Sequence, residues 1–301
     1  MSTPARATLA RDPTAAIRVA YLGPEGTFTQ AAVLSAPARE HLTLDPVTTV
    51  YEAVMAVQAG RADLAVVPIE NSLEGSVDTT LDALALESDG VAIVGETVLS
   101  IHQSLIARHP IALDEIEVVI SHPQAIAQCA RFIRERLPQA RVMTSSSTAE
   151  AVKLVRERIR HRWAAIGAAL AAELYECTVL VPEIEDLSGN QTRFAWIAPT
   201  GAAPGLPGAD PESAERWKTS IAFWGAGTEA PGWLVRCLLE LSTRDVNLTR
   251  IESRPRRQGL GQYLFFAEID GRAGDPRLVD AFAALRVHAE TLRELGSYPA
   301  A

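Results

Sequence analysis

The sequence predicts an α/β protein in two parts: a larger domain in which strands alternate with short helices, and a smaller layered domain after it. Three observations lead there. Short apolar runs rich in β-branched residues recur between helical stretches as far as Leu180, the alternation that builds α/β architecture. Thr200–Pro211 is rich in Gly, Pro and Ala and reads as a linker. Beyond it, about 80 residues run strand, helix, strand, strand, helix, strand, the ferredoxin-like order. A chain of 301 residues is long enough to bury a core in each part.

Arg18–Leu22 is apolar and leads into the turn Gly23-Pro24-Glu25-Gly26-Thr27, so it reads as a first strand followed by a helix from Phe28 to Leu34. Thr49–Ala59 has helical spacing, Asp63–Pro68 is a short buried strand, and Val77–Leu86 is a helix beyond a polar loop. Val91–Gln103 is a strand that continues into a β-rich crossover. Glu117–Ile120 is a strand, and Ser121-His122-Pro123 opens one continuous helix, Gln124–Arg136. A strand at Arg141–Thr144, a helix at Thr148–Arg160, a strand at Trp163–Ile166, a helix at Ala168–Tyr175 and an extended Thr178–Leu180 follow. In the smaller domain the strands are Lys218–Phe223, Val246–Ser253, Gln262–Glu268 and a short closing one at Thr291–Leu295, with helices at Gly232–Leu241 and Pro276–Leu285.

Net charge is −9 and unevenly spread. From Arg216 onward 12 basic residues meet 10 acidic ones, and before it 16 meet 27. So acidic a larger domain is a poor partner for nucleic acid or an anionic membrane, although a local pocket can oppose the global sign. Cys129, Cys177 and Cys237 are odd in number and lack metal-ligand spacing, so they read as free thiols in a reducing compartment. With no His-x-x-x-His pair and no Cys/His cluster, no metal is expected. Residues 1–17 read as a disordered tail without the apolar core of a secretion signal. No run approaches a membrane span, and the expected location is the cytoplasm.

Four loops, Gly23–Thr27, Glu70–Ser76, Ser121–Pro123 and Ser145–Thr148, are polar and end near predicted helix starts. Ligands of open α/β sheets sit beyond the carboxyl ends of strands, where helix N-termini offer unpaired N–H groups. Converging, these loops would make an anion-binding cleft with few charged residues in it, although Thr148 alone reads as a helix cap. The string Asn190-Gln191-Thr192-Arg193-Phe194 sets an amide, a hydroxyl and a fixed cation among apolar residues. That combination can hold a hydroxylated anion without metal or cofactor. On an extended strand Thr192 and Arg193 point to opposite sides. With Thr192 toward a cleft, Arg193 turns away to pair with Glu183, Glu185 or Asp186, and Phe194 shares the Thr192 side. His122 reads as capping or packing its loop, and Arg256 and Arg257 as surface charge.

Several uncommon strings stand in one order: Gly23-Pro24-Glu25-Gly26-Thr27-Phe28, then Pro68-Ile69-Glu70-Asn71-Ser72 with Glu74-Gly75-Ser76-Val77. Ser121-His122-Pro123-Gln124-Ala125 with Gln128-Cys129 follows, then Asn190 with Thr192-Arg193-Phe194, and finally Glu252-Ser253-Arg254-Pro255. In these motifs, which span Arg18 to Pro299, the chain resembles the prephenate dehydratase family, whose catalytic domain precedes a regulatory ACT domain. The resemblance implies a two-lobed, periplasmic-binding-protein-like catalytic domain over 18–198, with lobe one at 18–98 and 181–198 and lobe two at 99–180. A linker at 199–215 and a ferredoxin-like ACT domain at 216–298 would follow. The family converts prephenate to phenylpyruvate, carbon dioxide and water in L-phenylalanine biosynthesis, with no cofactor.

The family's essential threonine falls on Thr192, as hydrogen-bond donor to the departing hydroxyl. Asn71, Ser121 and Gln128 match polar residues that orient the substrate or bind its carboxylates, and adjacent Glu70 is a candidate acid. Substrate contact would fall on Thr27, Ser72, Ser76, Arg193 and Phe194. ACT domains of this kind pair across subunits, giving a dimer or tetramer, and bind phenylalanine at the interface. Pro231, Gly232, Trp233 and Leu234, with Glu252, Ser253, Arg254 and Pro255, would form that effector site. Trp233 stands where the family has a small apolar run, and would fill the pocket or point into a dimer interface. Two alternatives remain. Arogenate dehydratase differs only in its substrate's amino group. A non-enzymatic amino-acid-sensing or solute-binding protein would not need Thr192, and an idle homologue should lack one of Asn71, Ser121, Gln128 or Thr192, all present here.

Overall fold

The structure, a computed structural model, describes residues 16–158, 161–225 and 230–301. The predicted tail therefore lies, as far as residue 15, outside the described residues. Lobe one begins with β1 (Ile17–Leu22), α1 (Phe28–Leu34), β2 (Leu42–Val47), α2 (Val50–Gln58), β3 (Leu64–Asn71) and the short β4 (Gly75–Ser76). Next come α3 (Asp78–Asp82), which runs into a wider helical turn over Ala83–Glu87, and β5 (Val91–Ser100). Strand β2 is absent from the sequence reading because Asp45 and Pro46 interrupt its apolar pattern. It lies at the edge of the sheet, paired only with β1 in parallel, where a proline without an N–H is tolerated.

At Ile101 the chain crosses to lobe two, whose elements are β6 (Ser104–Ala107), β7 (Val118–Ser121), α4 (Pro123–Gln128), α5 (Ala130–Arg136) and β8 (Arg141–Thr144). These are followed by α6 (Thr148–Glu157), β9 (Trp163–Gly167), α7 (Ala169–Leu174) and β10 (Thr178–Val181), in a sheet of order β10-β6-β9-β7-β8. The single helix expected over 124–136 is broken at buried Cys129, which caps both α4 and α5. The break is stabilised from the returning segment: the Arg131 N–H donates to the Asp186 carboxylate at 2.9 Å, and the Asp186 N–H to the Gln128 carbonyl at 2.7 Å. Burial, with Glu185 and Asp186 nearby, pushes the Cys129 thiol up to about 12, so it is inert as a nucleophile.

The chain then returns to lobe one as β11 (Gln191–Pro199), inserted antiparallel between β3 and β5 in the order β2-β1-β3-β11-β5. Being central, β11 is buried from Thr192 to Ala198. Its two faces enter different cores, Phe194 and Trp196 with α1, Ala195 and Ile197 with α2. The linker beyond is packed along lobe one: Gly205 N–H donates to the Val94 carbonyl and Ala38 N–H to the Pro207 carbonyl.

The smaller domain consists of β12 (Trp217–Trp224), α8 (Trp233–Ser242), β13 (Leu248–Pro255), β14 (Tyr263–Asp270), α9 (Pro276–His288) and β15 (Thr291–Pro299). Its antiparallel order β13-β14-β12-β15 is the ferredoxin-like one. One sheet face packs on α8 and α9. The other puts Ala222, Leu264, Phe266, Leu295 and Tyr298 into the apolar cluster of Val54, Val57, Leu84 and Ile93 in lobe one. Here β15, longer than expected from sequence, lies against β5. A Cβ on Gly296 would come within 2.1 Å of the Ile93 carbonyl oxygen, and φ there is +149°, so only glycine allows this approach. Replacing Gly296 by alanine is expected to cost about 2 kcal/mol. A fall in the urea midpoint at unchanged slope would report it; an unmoved midpoint would contradict so close a contact.

Candidate active site

Between the lobes opens a cleft of about 830 Å³. Lobe one contributes the β1–α1 turn with Gly23, Pro24, Glu25 and Thr27, the β2–α2 turn with Thr48, and Pro68, Thr192 and Phe194. Lobe two contributes His122, the Ser146-Ser147-Thr148 loop, Glu150, Lys153 and Tyr175. Three of the four polar loops singled out in the sequence thus reach the cleft. The Thr27 hydroxyl accepts from the Gln30 N–H, and the Ser147 hydroxyl from the Glu150 N–H, which fixes the starts of α1 and α6. His122 Nδ1 caps α4, accepting from the Gln124 N–H at 3.3 Å.

Thr192 and Asn71 are opposed in the β3–β11 pair. The Asn71 amide donates to Thr192 Oγ1 at 2.9 Å and to Asn190 Oδ1 at 2.8 Å, while Asn71 Oδ1 accepts from the N–H groups of Leu73 and Glu74. Thr192 Oγ1 is thereby used as an acceptor. Among the described residues its own hydrogen has no acceptor, so it is free to be donated into the cleft. Ser72 contributes indirectly, its hydroxyl accepting from the Gln191 N–H at 2.9 Å.

Other residues from the sequence reading lie elsewhere. Ser121 is fully buried and donates to the Ile166 carbonyl at 2.6 Å, tying β7 to β9. Gln128 lines a separate pocket of about 440 Å³ with Leu73, Asp186 and Asn190. Arg193 does turn away from the cleft, as alternation requires, but its partners are Glu70 at 2.7 Å, Glu96 at 2.8 Å and Glu268 of the smaller domain at 2.7 Å. The expected partners serve otherwise: Glu185 accepts from His102 and from the Gln103 N–H, and Asp186 caps α5. Glu70 sits on the Arg193 face and also faces Arg250 at 3.9 Å, so it is a structural counter-ion. Ser76 donates to Glu252 and accepts from Arg250, which places it at the domain junction. The placements of Arg193, Glu70 and Ser76 share one cause. The smaller domain covers the back of the β3–β11 pair, and sequence spacing does not reveal which face it covers.

The expected effector set also divides. Pro231, Gly232, Trp233 and Leu234 line a pocket of about 440 Å³ with Tyr263. Trp233 itself is core: it packs against Phe223 and Phe265, and its indole N–H donates to the His288 carbonyl at 2.9 Å. On β13, Glu252 and Arg254 face lobe one, where Arg254 pairs with Asp78 and with Asp82. Ser253 and Pro255 alternate outward. Burial disfavours the charged form of Glu96, yet Arg193 and Lys218 beside it hold its pKa below the ordinary 4.5. Its contribution to stability is therefore complete above that value and is lost as pH falls below it. Urea midpoints are expected to drop between about pH 5 and pH 3, and less so in Glu96→Gln; equal slopes in the two proteins would contradict this.

No helix among the described residues is long and apolar enough to cross a membrane, and they hold no cluster of three or more potential metal ligands. The fold and site define a two-lobed α/β enzyme whose cleft opens between the lobes and whose ferredoxin-like appendage is locked onto one lobe. The prephenate dehydratase family model matches residues 19–201. The prephenate dehydratase of Amycolatopsis methanolica is 40% identical over 283 residues, 93% of this chain and 88% of that one. The structure of prephenate dehydratase from Arthrobacter aurescens in complex with L-Phe is similar at a TM-score of 0.83 and 39% identity, covering 94% of this chain and 90% of the other. A structure described as GqqA, a novel type of quorum quenching acylase, is similar at a TM-score of 0.80 and 32% identity, covering 94% and 98%. This chain belongs to the prephenate dehydratase family.

Proposed function

We propose that the chain converts prephenate to phenylpyruvate, carbon dioxide and water. The observation that carries this reading is the Thr192 hydroxyl, held as an acceptor by Asn71 and left free to donate into the cleft. In the reaction the bond from ring carbon to carboxylate breaks, its electron pair enters the ring, and the C–O bond opposite breaks. Hydroxide departs and takes a proton to become water. Aromatisation supplies most of the driving force, so the protein must chiefly orient the substrate and stabilise charge growing on the leaving oxygen. Thr192 donates a hydrogen bond there; an alkyl hydroxyl is too weak an acid to give up its proton, which comes from solvent in the cleft.

The smaller domain is read as an ACT domain that takes phenylalanine and pairs across subunits. Support comes from its strand order, the pocket beside Pro231 and Gly232, and the L-Phe complex of the A. aurescens protein. Gly232 has φ +76° at the start of α8, a conformation that favours glycine. The test is incubation of purified protein with prephenate and, separately, with arogenate, following phenylpyruvate and phenylalanine. Phenylpyruvate is expected from prephenate, at a rate lowered by added phenylalanine. No turnover of either substrate would sink the enzyme reading.

A further inference from the structure

Of the cleft's charged residues, Lys153 is the cation that the sequence reading passed over. It follows Glu150 by three positions on α6, so both lie on one helix face and both line the cleft with Thr192. Glu150 is turned back on the helix start, its carboxylate accepting from the Ser146 N–H at 3.0 Å, and does not neutralise the lysine. Among the described residues Lys153 has no hydrogen-bond or ion-pair partner. The other lysine, Lys218, is bound to Glu96, Arg193 is held behind the sheet, and among the described residues no arginine lines the cleft.

We propose that Lys153 is a specificity-determining residue that grips the carboxylate of the substrate's pyruvyl side chain; this rests on the reaction proposed above. The substrate has two carboxylates, and they are not equivalent. The ring carboxylate loses its charge as it leaves as carbon dioxide, so an ammonium against it would stabilise the ground state more than the transition state and slow the step. The side-chain carboxylate keeps its charge throughout. Gripping it lowers KM without touching kcat. The leaving hydroxyl and the side chain also lie at opposite ends of the ring. Thr192 on lobe one and Lys153 on lobe two therefore hold the two ends, and the substrate bridges the cleft. Arogenate carries an ammonium beside that same carboxylate, and its repulsion by Lys153 favours the keto acid.

Lys153 is exposed, so its replacement should leave folding intact. In Lys153→Gln the KM for prephenate is expected to rise about 10- to 100-fold, the loss of one charge-assisted hydrogen bond, with kcat within about 2-fold. Lys153→Arg should restore most of the affinity, and the preference for prephenate over arogenate should narrow in Lys153→Gln. An unchanged KM, or a fall in kcat at unchanged KM, overturns the proposal. Calorimetric binding of phenylpyruvate, which keeps the side-chain carboxylate, needs no turnover and separates the two failures. No binding to the unmodified protein, or equal affinity for it and Lys153→Gln, overturns the role of Lys153, whereas absence of turnover with binding intact overturns only the reaction.

Discussion

Replacing Thr192 by valine is expected to lower kcat by about 10²- to 10³-fold, the usual consequence of removing one donor aimed at developing charge. KM should change little, because the interaction strengthens only as the C–O bond breaks. The fold should survive. Asn71 keeps Asn190 Oδ1 and the Gln191 carbonyl as acceptors when Thr192 Oγ1 is lost, so the stability cost is about 1 kcal/mol. Thr192→Ser retains the donor with a freer rotamer and should recover much of the rate. Parallel kcat measurements and circular dichroism decide the matter. A valine variant of near-normal kcat, or one that is unfolded, would remove Thr192 from the chemistry.

Removing the guanidinium next to it has a different outcome. Arg193→Met is expected to cost about 3–5 kcal/mol of stability, the penalty for leaving buried charge uncompensated. The side chains of Glu96 and Glu268 are each 2% exposed, and both lie within 2.8 Å of Arg193. Lys218 still pairs with Glu96 and Arg250 with Glu268, which places the expectation toward the lower end of that range. Burial alone would lower the pKa of Arg193, but Glu268 and Glu96 raise it, so the cation cannot escape its cost by losing a proton. Adding Glu268→Gln to Arg193→Met should restore part of the loss, since one stranded charge is gone. A double-mutant cycle in urea reads the coupling directly. Strict additivity would mean that the pair does not hold the junction together.

Period-two alternation along an extended segment was enough to separate Thr192 from Arg193, since it depends on local geometry alone. The same reasoning could not name the partners of Arg193, because Glu96 and Glu268 stand 97 and 75 residues away in sequence and are brought in by sheet order and domain docking. For the same reason Ser76 and Glu70 read as cleft residues when they face the junction. Lys153 had a legible signal: its spacing from Glu150 on the helix that starts at the polar Ser145–Thr148 loop. The break at Cys129 had none, because the carboxylate that caps α5 belongs to Asp186, 55 residues beyond Arg131. Strand β2 had a weak signal of its own, because Asp45 and Pro46 interrupt its apolar pattern, as an edge position tolerates.

The apolar cluster that runs unbroken from Val54 and Ile93 into Phe266, Leu295 and Tyr298 bears on how this protein comes apart. A domain is an independent folding unit only if it keeps its own core when its neighbour is removed. Here a chain cut in the linker would bare that shared cluster, along with Glu96 and Glu70 clustered on a single guanidinium. Calorimetry of the whole chain should therefore show lobe one and the ferredoxin-like domain melting as one cooperative unit. Lobe two, whose apolar clusters stand apart, is the part able to unfold on its own. The natural division of this molecule runs through the cleft, not through the linker.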